Sequence, residues 1–373
     1  MPPRRDWVKA EASTHDGARG VAKRNYRHER CLVIKIGTRI DPGWLDRPQD
    51  LRFLRQIGVD VVDVTLDIFP GYKESGQLHR ESVQAVVEVV DGAGLKIERA
   101  NSTNAFSRAI FMDEPGAGEE LDRLVANVAL CGEYGFPVVG IQCFQAAQFG
   151  GFPRGVFEWV EGRGGYRHLK VDLRDALNRP APDGAPTHEE LWERTLEIFR
   201  ATAPVAEAAG TRVAMHGNDP PVPSLYGVPQ VLYDFAAFDR LFSEVPSPAN
   251  GMTFCVGTRY ESGEDVFEGI RRFGEQGKIF HAHFRNVRGT IPATGGYEEV
   301  IPDEGDLNMF QVVRALHDVG FDGAIDYDHI MELAGDEEGR AYIAFCVGQM
   351  HGFLQALETE PQNRPRGSDS AVR

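Results

Sequence analysis

Residues 212–216 read Arg212-Val213-Ala214-Met215-His216 and run directly into Gly217-Asn218-Asp219-Pro220-Pro221. A short apolar run that ends on an imidazole and meets two prolines reads as a buried strand stopping at a stiff turn, because proline blocks helix initiation and fixes the backbone. Three later runs follow the same plan: Met252–Cys255, Ile279–His283 and Ala324–Asp328 each finish on a side chain able to hold a divalent ion. A parallel barrel carries the C-terminal tips of its strands to one shared mouth, so ligands far apart in sequence can meet there. The expected fold is α/β, a single (β/α)8 TIM barrel.

Working outward, eight strand candidates alternate with eight helical patterns. The strands are Cys31–Gly37, Val59–Leu66, Leu95–Ala100, Pro137–Cys143, Arg212–His216, Met252–Gly257, Lys278–Phe284 and Gly323–His329. Several are continuous Val and Ile runs, as expected where a parallel strand is covered on both faces. Helical periodicity spans Asp50–Ile57, Glu81–Ala93, Glu119–Tyr134, His188–Ala209, Asp234–Phe242, Gly263–Phe273, Leu307–Val319 and Glu338–Leu357. Gly94, Gly210 and Gly320 stand where a left-handed helix cap is needed. The domain expectation is a polar N-terminal tail over 1–30, a barrel over 31–358 and a C-terminal tail over 359–373. An irregular insertion, Phe144 to Thr187, follows strand four and emerges on the catalytic face, where it can shape a substrate site.

The composition of the 373 residues, 42% hydrophobic and 26% charged, is that of a chain able to bury a large core. A formal net charge of −16 argues against nucleic acid as a partner, since phosphate binding relies on clustered Lys and Arg. No apolar run has membrane-spanning length and the first 30 residues lack a signal-peptide core, so the expected location is the cytoplasm. Five scattered cysteines form no CxxC pair and suggest no disulfide framework.

The chemistry concentrates at the strand tips. His216, Cys255, His283 and Asp328 form a candidate ligand set of two imidazoles, a thiolate and a carboxylate, leaving an open position for substrate. A thiolate suits Mn, Fe or Zn better than Mg. His281 shares a strand face with His283 and reads as a supporting or packing residue, while His329 is assigned to proton transfer. Asn218 and Asp219 sit beside His216 in the stiffened turn. Glu98, Gln145, Arg39 and Arg99 are candidates for the mouth, and Lys35, inside strand one, is expected to pair with a carboxylate in the barrel interior.

Combined, several of these words resemble the mannonate dehydratase family, xylose-isomerase-like barrels. They are Met215-His216-Gly217-Asn218-Asp219-Pro220-Pro221, Gly227-Val228-Pro229, Asn250-Gly251-Met252-Thr253-Phe254-Cys255-Val256-Gly257, His283-Phe284-Arg285, the Asp328-His329 pair and the helix from Tyr342 to Leu357. The resemblance covers about half of the chain and identifies it as a divergent member. It implies that His216, Cys255, His283 and Asp328 hold the metal, Mn2+ or Fe2+, and that His329 and Tyr342 share proton transfer. The implied reaction is dehydration of D-mannonate to 2-keto-3-deoxygluconate, a hydro-lyase activity of carbohydrate metabolism.

Arg285, two residues past a ligand, is then the expected anchor for the substrate carboxylate, because its planar fork matches two oxygens. Departures from the family pattern, such as Gly217-Asn218 and Tyr327 before Asp328, fall on the substrate walls. Three other classes use the same features: a metal-dependent sugar isomerase or epimerase, a lyase acting on a modified or keto sugar, and a non-catalytic sugar-binding protein. The expected partners are a small-molecule sugar acid and further copies of the chain, with no nucleic acid and no membrane.

Overall fold

Short Val- and Ile-rich runs become parallel strands here because a helix covers one face of each and the barrel interior covers the other. The computed structural model describes residues 34–102, 108–142 and 156–359. The barrel strands are β1 (Lys35–Ile40), β2 (Val61–Thr65), β3 (Lys96–Asn101), β4 (Val138–Gln142), β5 (Arg212–His216), β6 (Asn250–Cys255), β7 (Ile279–His283) and β8 (Ala324–Asp326). Each pairs in parallel with its neighbour in sequence, and β8 closes on β1. The helices between them are α1 (Pro48–Ile57), α2 (Arg80–Gly92), α3 (Ala117–Glu133), α4 (His188–Ala209), α5 (Phe235–Glu244), α6 (Val266–Gly274) and α7 (Met309–Asp318), with α8 (Arg340–Thr359) after the last strand. This is the (β/α)8 TIM barrel expected from the strand and helix count. No helix among the described residues is long and apolar enough to cross a membrane.

Local sequence sets the helix ends. Thr187 and Glu190 form a reciprocal capping box at the start of α4, and Gly210 ends that helix with φ of 74°, a conformation that costs glycine little. The inner faces of the helices pack a continuous core against the strands, including the Phe235, Phe238, Phe242 and Phe273 rings of α5 and α6.

Most strand ends shift by a few residues from expectation, and two of the shifts matter for the site. Strand β1 runs on to Ile40, past the expected end at Gly37, and its polar residues find partners on both faces of the strand. Lys35 donates to both oxygens of Glu98 at 2.8 and 3.0 Å, Thr38 meets the Tyr327 hydroxyl at 2.6 Å, and Arg39 lies opposite Asp63 in register. Arg39 therefore stands inside the strand, near its tip. Strand β8 ends early, at Asp326. Asp328 then adopts φ of 63°, a left-handed conformation that Asp tolerates better than most residues.

The insertion after strand four is not wholly irregular. Strands Phe157–Glu161 and Arg167–Asp172 form an antiparallel hairpin, and Arg167–Asp172 also pairs with Gly296–Val300, which pairs in turn with Asn286–Arg288. The loops after β4 and β7 thus share one four-stranded antiparallel sheet. Sequence reading missed it because its strands alternate charged and apolar residues and the ladder that joins its two hairpins pairs segments more than a hundred residues apart.

Candidate metal centre and active site

The tips of β5, β6 and β7 bring three buried donors together: His216, Cys255 and His283 offer ligand atoms that all lie within 4.8 Å of one another. His216 Nε2 is 3.2 Å from His283 Nδ1. Asp328 joins from beyond β8, with Oδ1 at 3.4 Å from His283 Nδ1 and Oδ2 at 3.9 Å from Cys255 Sγ. Its left-handed backbone, with its amide donating to Asp326 Oδ1 at 3.0 Å, turns the chain here.

The protonation state of His216 suits a cation. His216 Nδ1 is 2.7 Å from the Gly217 carbonyl; a carbonyl only accepts, so Nδ1 carries the proton and Nε2 presents its lone pair. Burial pushes the His216 pKa down to about 4 and that of His283 well below the usual value, so both rings are neutral. For Asp328, burial pulls the pKa upward, but the charges of His329, Arg285 and Arg39 outweigh it and hold the carboxyl ionised. Burial pushes the Cys255 thiol up to about 12. A buried thiol of that kind ionises when a metal takes its proton's place. Two neutral imidazoles, a latent thiolate and a carboxylate fit a divalent transition ion better than magnesium.

A second group, Asp63, His281, His283 and Asp326, lies deeper in the barrel. It already contains a cation. Arg99 pairs with Asp63, donates to His283 Nε2 at 2.8 Å and reaches Thr253 at 2.8 Å, while His281 Nε2 meets Asp326 at 2.9 Å. The guanidinium neutralises this layer, which supports the donor cluster from below.

Above the cluster opens a cavity of about 480 Å³, within the roughly 300–1,000 Å³ range of small-molecule sites. His216, His283 and Asp328 contribute to its lining, together with Arg39, Gln142 and Asp219. His329 and the inserted sheet's Phe157, Leu169, Tyr297 and Glu299 complete the walls, beside Pro220. Glu299 Oε2 is 2.5 Å from His329 Nδ1. Burial alone would lower the His329 pKa, but Asp328 and Glu299 reverse the effect and raise it to about 9. His329 is thus an imidazolium at neutral pH, with its ring exposed toward the cavity. The Tyr297 hydroxyl donates to Asp219 Oδ1 at 3.0 Å.

Several expected site residues stand elsewhere. Arg285 is 2% exposed and does not line the cavity. It donates to Glu299 at 2.5 Å and to Asp219 at 2.9 Å, and lies 3.0 Å from Glu261 and 3.6 Å from Asp328. With four carboxylates around it, Arg285 holds the floor of the site and is not placed to anchor a substrate. Glu98 pairs with Lys35 toward the N-terminal ends of the strands, away from the mouth. Asn218 is buried, its side chain accepting from the Leu232 amide at 2.8 Å; it clamps the turn after β5. Tyr342 is 2% exposed on α8, edge-on to Tyr327 with ring centroids 5.8 Å apart, and it does not line the cavity. Gln145 lies outside the described residues. Sequence reasoning missed Tyr297 and Glu299, although the Tyr297-Glu298-Glu299 alternation places those two side chains on one strand face.

Residues 185–364 match the family model described as D-mannonate dehydratase (UxuA). Just under half of the chain is thus similar to the mannonate dehydratase family. The matched stretch holds β5 to β8 and every donor of the cluster. Mannonate dehydratase 2 of Halalkalibacterium halodurans is 36% identical over 155 residues, 41% of this chain and 44% of that protein. The chain thus aligns with less than half the length of this curated relative. Mannonate dehydratase of Streptococcus uberis is 26% identical over 334 residues, covering 80% of this chain and 89% of the relative. Among solved structures, mannonate dehydratase from Streptococcus suis serotype 2 superimposes with a TM-score of 0.72 at 21% identity, covering 91% of this chain and 99% of the other. That likeness is one of fold, and it extends beyond the stretch matched by the family model.

Proposed function

We propose that this protein is a metal-dependent hydro-lyase that dehydrates a sugar acid, D-mannonate to 2-keto-3-deoxygluconate, in the cytoplasm. The observation that carries the reading is the convergence of His216, Cys255, His283 and Asp328 at the barrel mouth, where all but the buried Cys255 line one cavity with the imidazolium of His329.

The chemical difficulty is twofold: a proton next to a carboxylate is weakly acidic, and hydroxide leaves poorly. His216, Cys255, His283 and Asp328 would hold the ion, Mn2+ or Fe2+ being the best fit to this donor set. When bound, the ion supplies Lewis-acid stabilisation of the negative charge that develops as C2 loses its proton. His329, kept protonated by Glu299 and Asp328, is suited to deliver a proton to the departing 3-hydroxyl as general acid. Glu299 fixes the ring by its contact at Nδ1, which leaves Nε2 as the working atom. Asp219 and Tyr297, hydrogen-bonded to each other on the cavity wall, are positioned to accept or relay the C2 proton. The inserted sheet covers this wall with Phe157 and Leu169, which limits water around the reacting groups.

The test is direct. Protein loaded with Mn2+ or Fe2+ is incubated with D-mannonate, and the product is read by mass spectrometry and by a 2-keto acid assay. Loss of one water with appearance of the keto acid is expected. An unchanged mass with a new sugar isomer would replace this reading with an isomerase or epimerase, and tight binding without any conversion would leave only a sugar-binding role.

A further inference from the structure

The cavity walls carry three carboxylates, Asp219, Glu299 and Asp328. An anionic sugar acid entering such a site meets repulsion, and the imidazolium of His329, given to proton transfer, is not a fork that can hold its carboxylate. Arg285 cannot serve, since its side chain is buried among carboxylates below the cavity floor. Among the described residues that line the cavity, Arg39 is the one Arg or Lys.

Its guanidinium is also unspent. The ion contacts of Arg39 are long, 3.7 Å from Nε to Asp63 and 3.7 Å from Nη2 to Asp328, and its buried Nε has no hydrogen-bond partner. Contacts this long leave the exposed part of the guanidinium able to take a carboxylate as a closer partner. The side chain is 34% exposed, so its outer face is open to the cavity while Asp63 and Asp328 keep the stem aimed there. The tip of β1 places this fork at the edge of the donor cluster, where one end of a chelating sugar acid would lie.

We propose that Arg39 binds the substrate carboxylate and makes this site specific for acids over the matching neutral polyols. This rests on the sugar-acid reading above. The rival role is charge balance alone: Arg39 would offset Asp63 and Asp328 and never touch a ligand. That role would alter metal content or stability, and it would weaken acid and polyol alike.

The experiment uses the full chain loaded with Mn2+, as wild type, Arg39→Lys and Arg39→Met. Binding of C4 to C6 aldonates, D-mannonate included, is compared by calorimetry with binding of the matched alditols, alongside metal content and the kcat and KM for dehydration. Loss of a charge-assisted fork should weaken the acids roughly 10- to 100-fold in Arg39→Met, leave the alditols unchanged, preserve metal content, and give an intermediate value for Arg39→Lys. Unchanged acid binding in Arg39→Met, an equal loss for acid and alditol, or a wild type with no preference for acids would each overturn the proposal. The two readings separate cleanly. A wild type that dehydrates nothing yet prefers acids through Arg39 loses the dehydratase function and keeps the anchor. One that dehydrates D-mannonate with the same KM in Arg39→Met keeps the function and loses the anchor.

Discussion

Replacing Arg285 with leucine should destabilise the protein far more than an average substitution, and most strongly at neutral pH. The guanidinium lies against Asp219, Glu261, Glu299 and Asp328, and all of its side chain is buried. Removing one partner of a buried ion pair typically costs about 3–5 kcal/mol, because the remaining charge is left without compensation. For a barrel of roughly 300 residues the unfolding entropy converts each kcal/mol into about 1.6 °C, so the midpoint should fall by about 5–8 °C.

The pH dependence has a defined sign. Burial pulls the Asp219 and Asp328 pKa values upward, but neighbouring cations, Arg285 among them, hold both below their ordinary values. In the wild type these groups therefore contribute stability above about pH 4, and it is lost as pH falls through their depressed values. Without Arg285 the stranded carboxylates can take up protons at a higher pH, which relieves the repulsion. The gap between variant and wild type should then narrow as pH drops from about 7 toward 4. Urea unfolding followed by circular dichroism at several pH values, on metal-free protein, measures it. A difference under about 1 kcal/mol at pH 7, or one that stays constant with pH, would refute the account of Arg285 as the keystone of the floor.

Three further outcomes are expected. Cys255→Ser and His216→Ala should each lose bound metal by elemental analysis, and the cobalt-loaded Cys255→Ser protein should lack the sulfur-to-metal absorption band of the wild type; full retention in both would remove these residues from the ligand set. Glu299→Gln should move the His329 pKa down from about 9, read by NMR titration, and slow turnover roughly 100-fold. The raised folded pKa stabilises the wild type below its unfolded value of about 6.5 and is lost as pH rises through 9, so the stability gap should close over that window. Tyr342→Phe should keep turnover near that of the wild type, since its ring faces Tyr327 in the core, while Tyr297→Phe should lower kcat; the reverse ranking would return the proton-transfer role to α8.

The barrel was legible because its strands are covered on both faces, which leaves short Val- and Ile-rich runs that few other structures use. The converging donors were legible for a related reason. His216, Cys255 and His283 each occupy the last position of a strand, and parallel strands share a direction. Where the reading failed, partners distant in sequence decided the outcome. Arg285 looks like a substrate anchor from its position, but Glu261, Glu299 and Asp219 arrive from other segments and enclose it. Tyr342 lies close to His329 in sequence, yet α8 turns its ring toward Tyr327. Glu98 was recoverable: it is the third residue of its strand, hence nearer the bottom than the mouth. Tyr297 and Glu299 belong to a strand whose pairing with Arg167–Asp172 no local pattern announces.

The shared sheet also limits how this site can be redesigned or diversify. Its two hairpins leave the barrel after different strands yet complete each other's hydrogen-bond ladder, so neither can be exchanged without exposing a raw edge in the other. A graft that transplants only the loop after strand four would strand Tyr297 and Glu299 on an unsupported ribbon. Any change of substrate range is thereby expected to proceed by paired exchange, with both loops inherited as one cassette despite their separation along the chain.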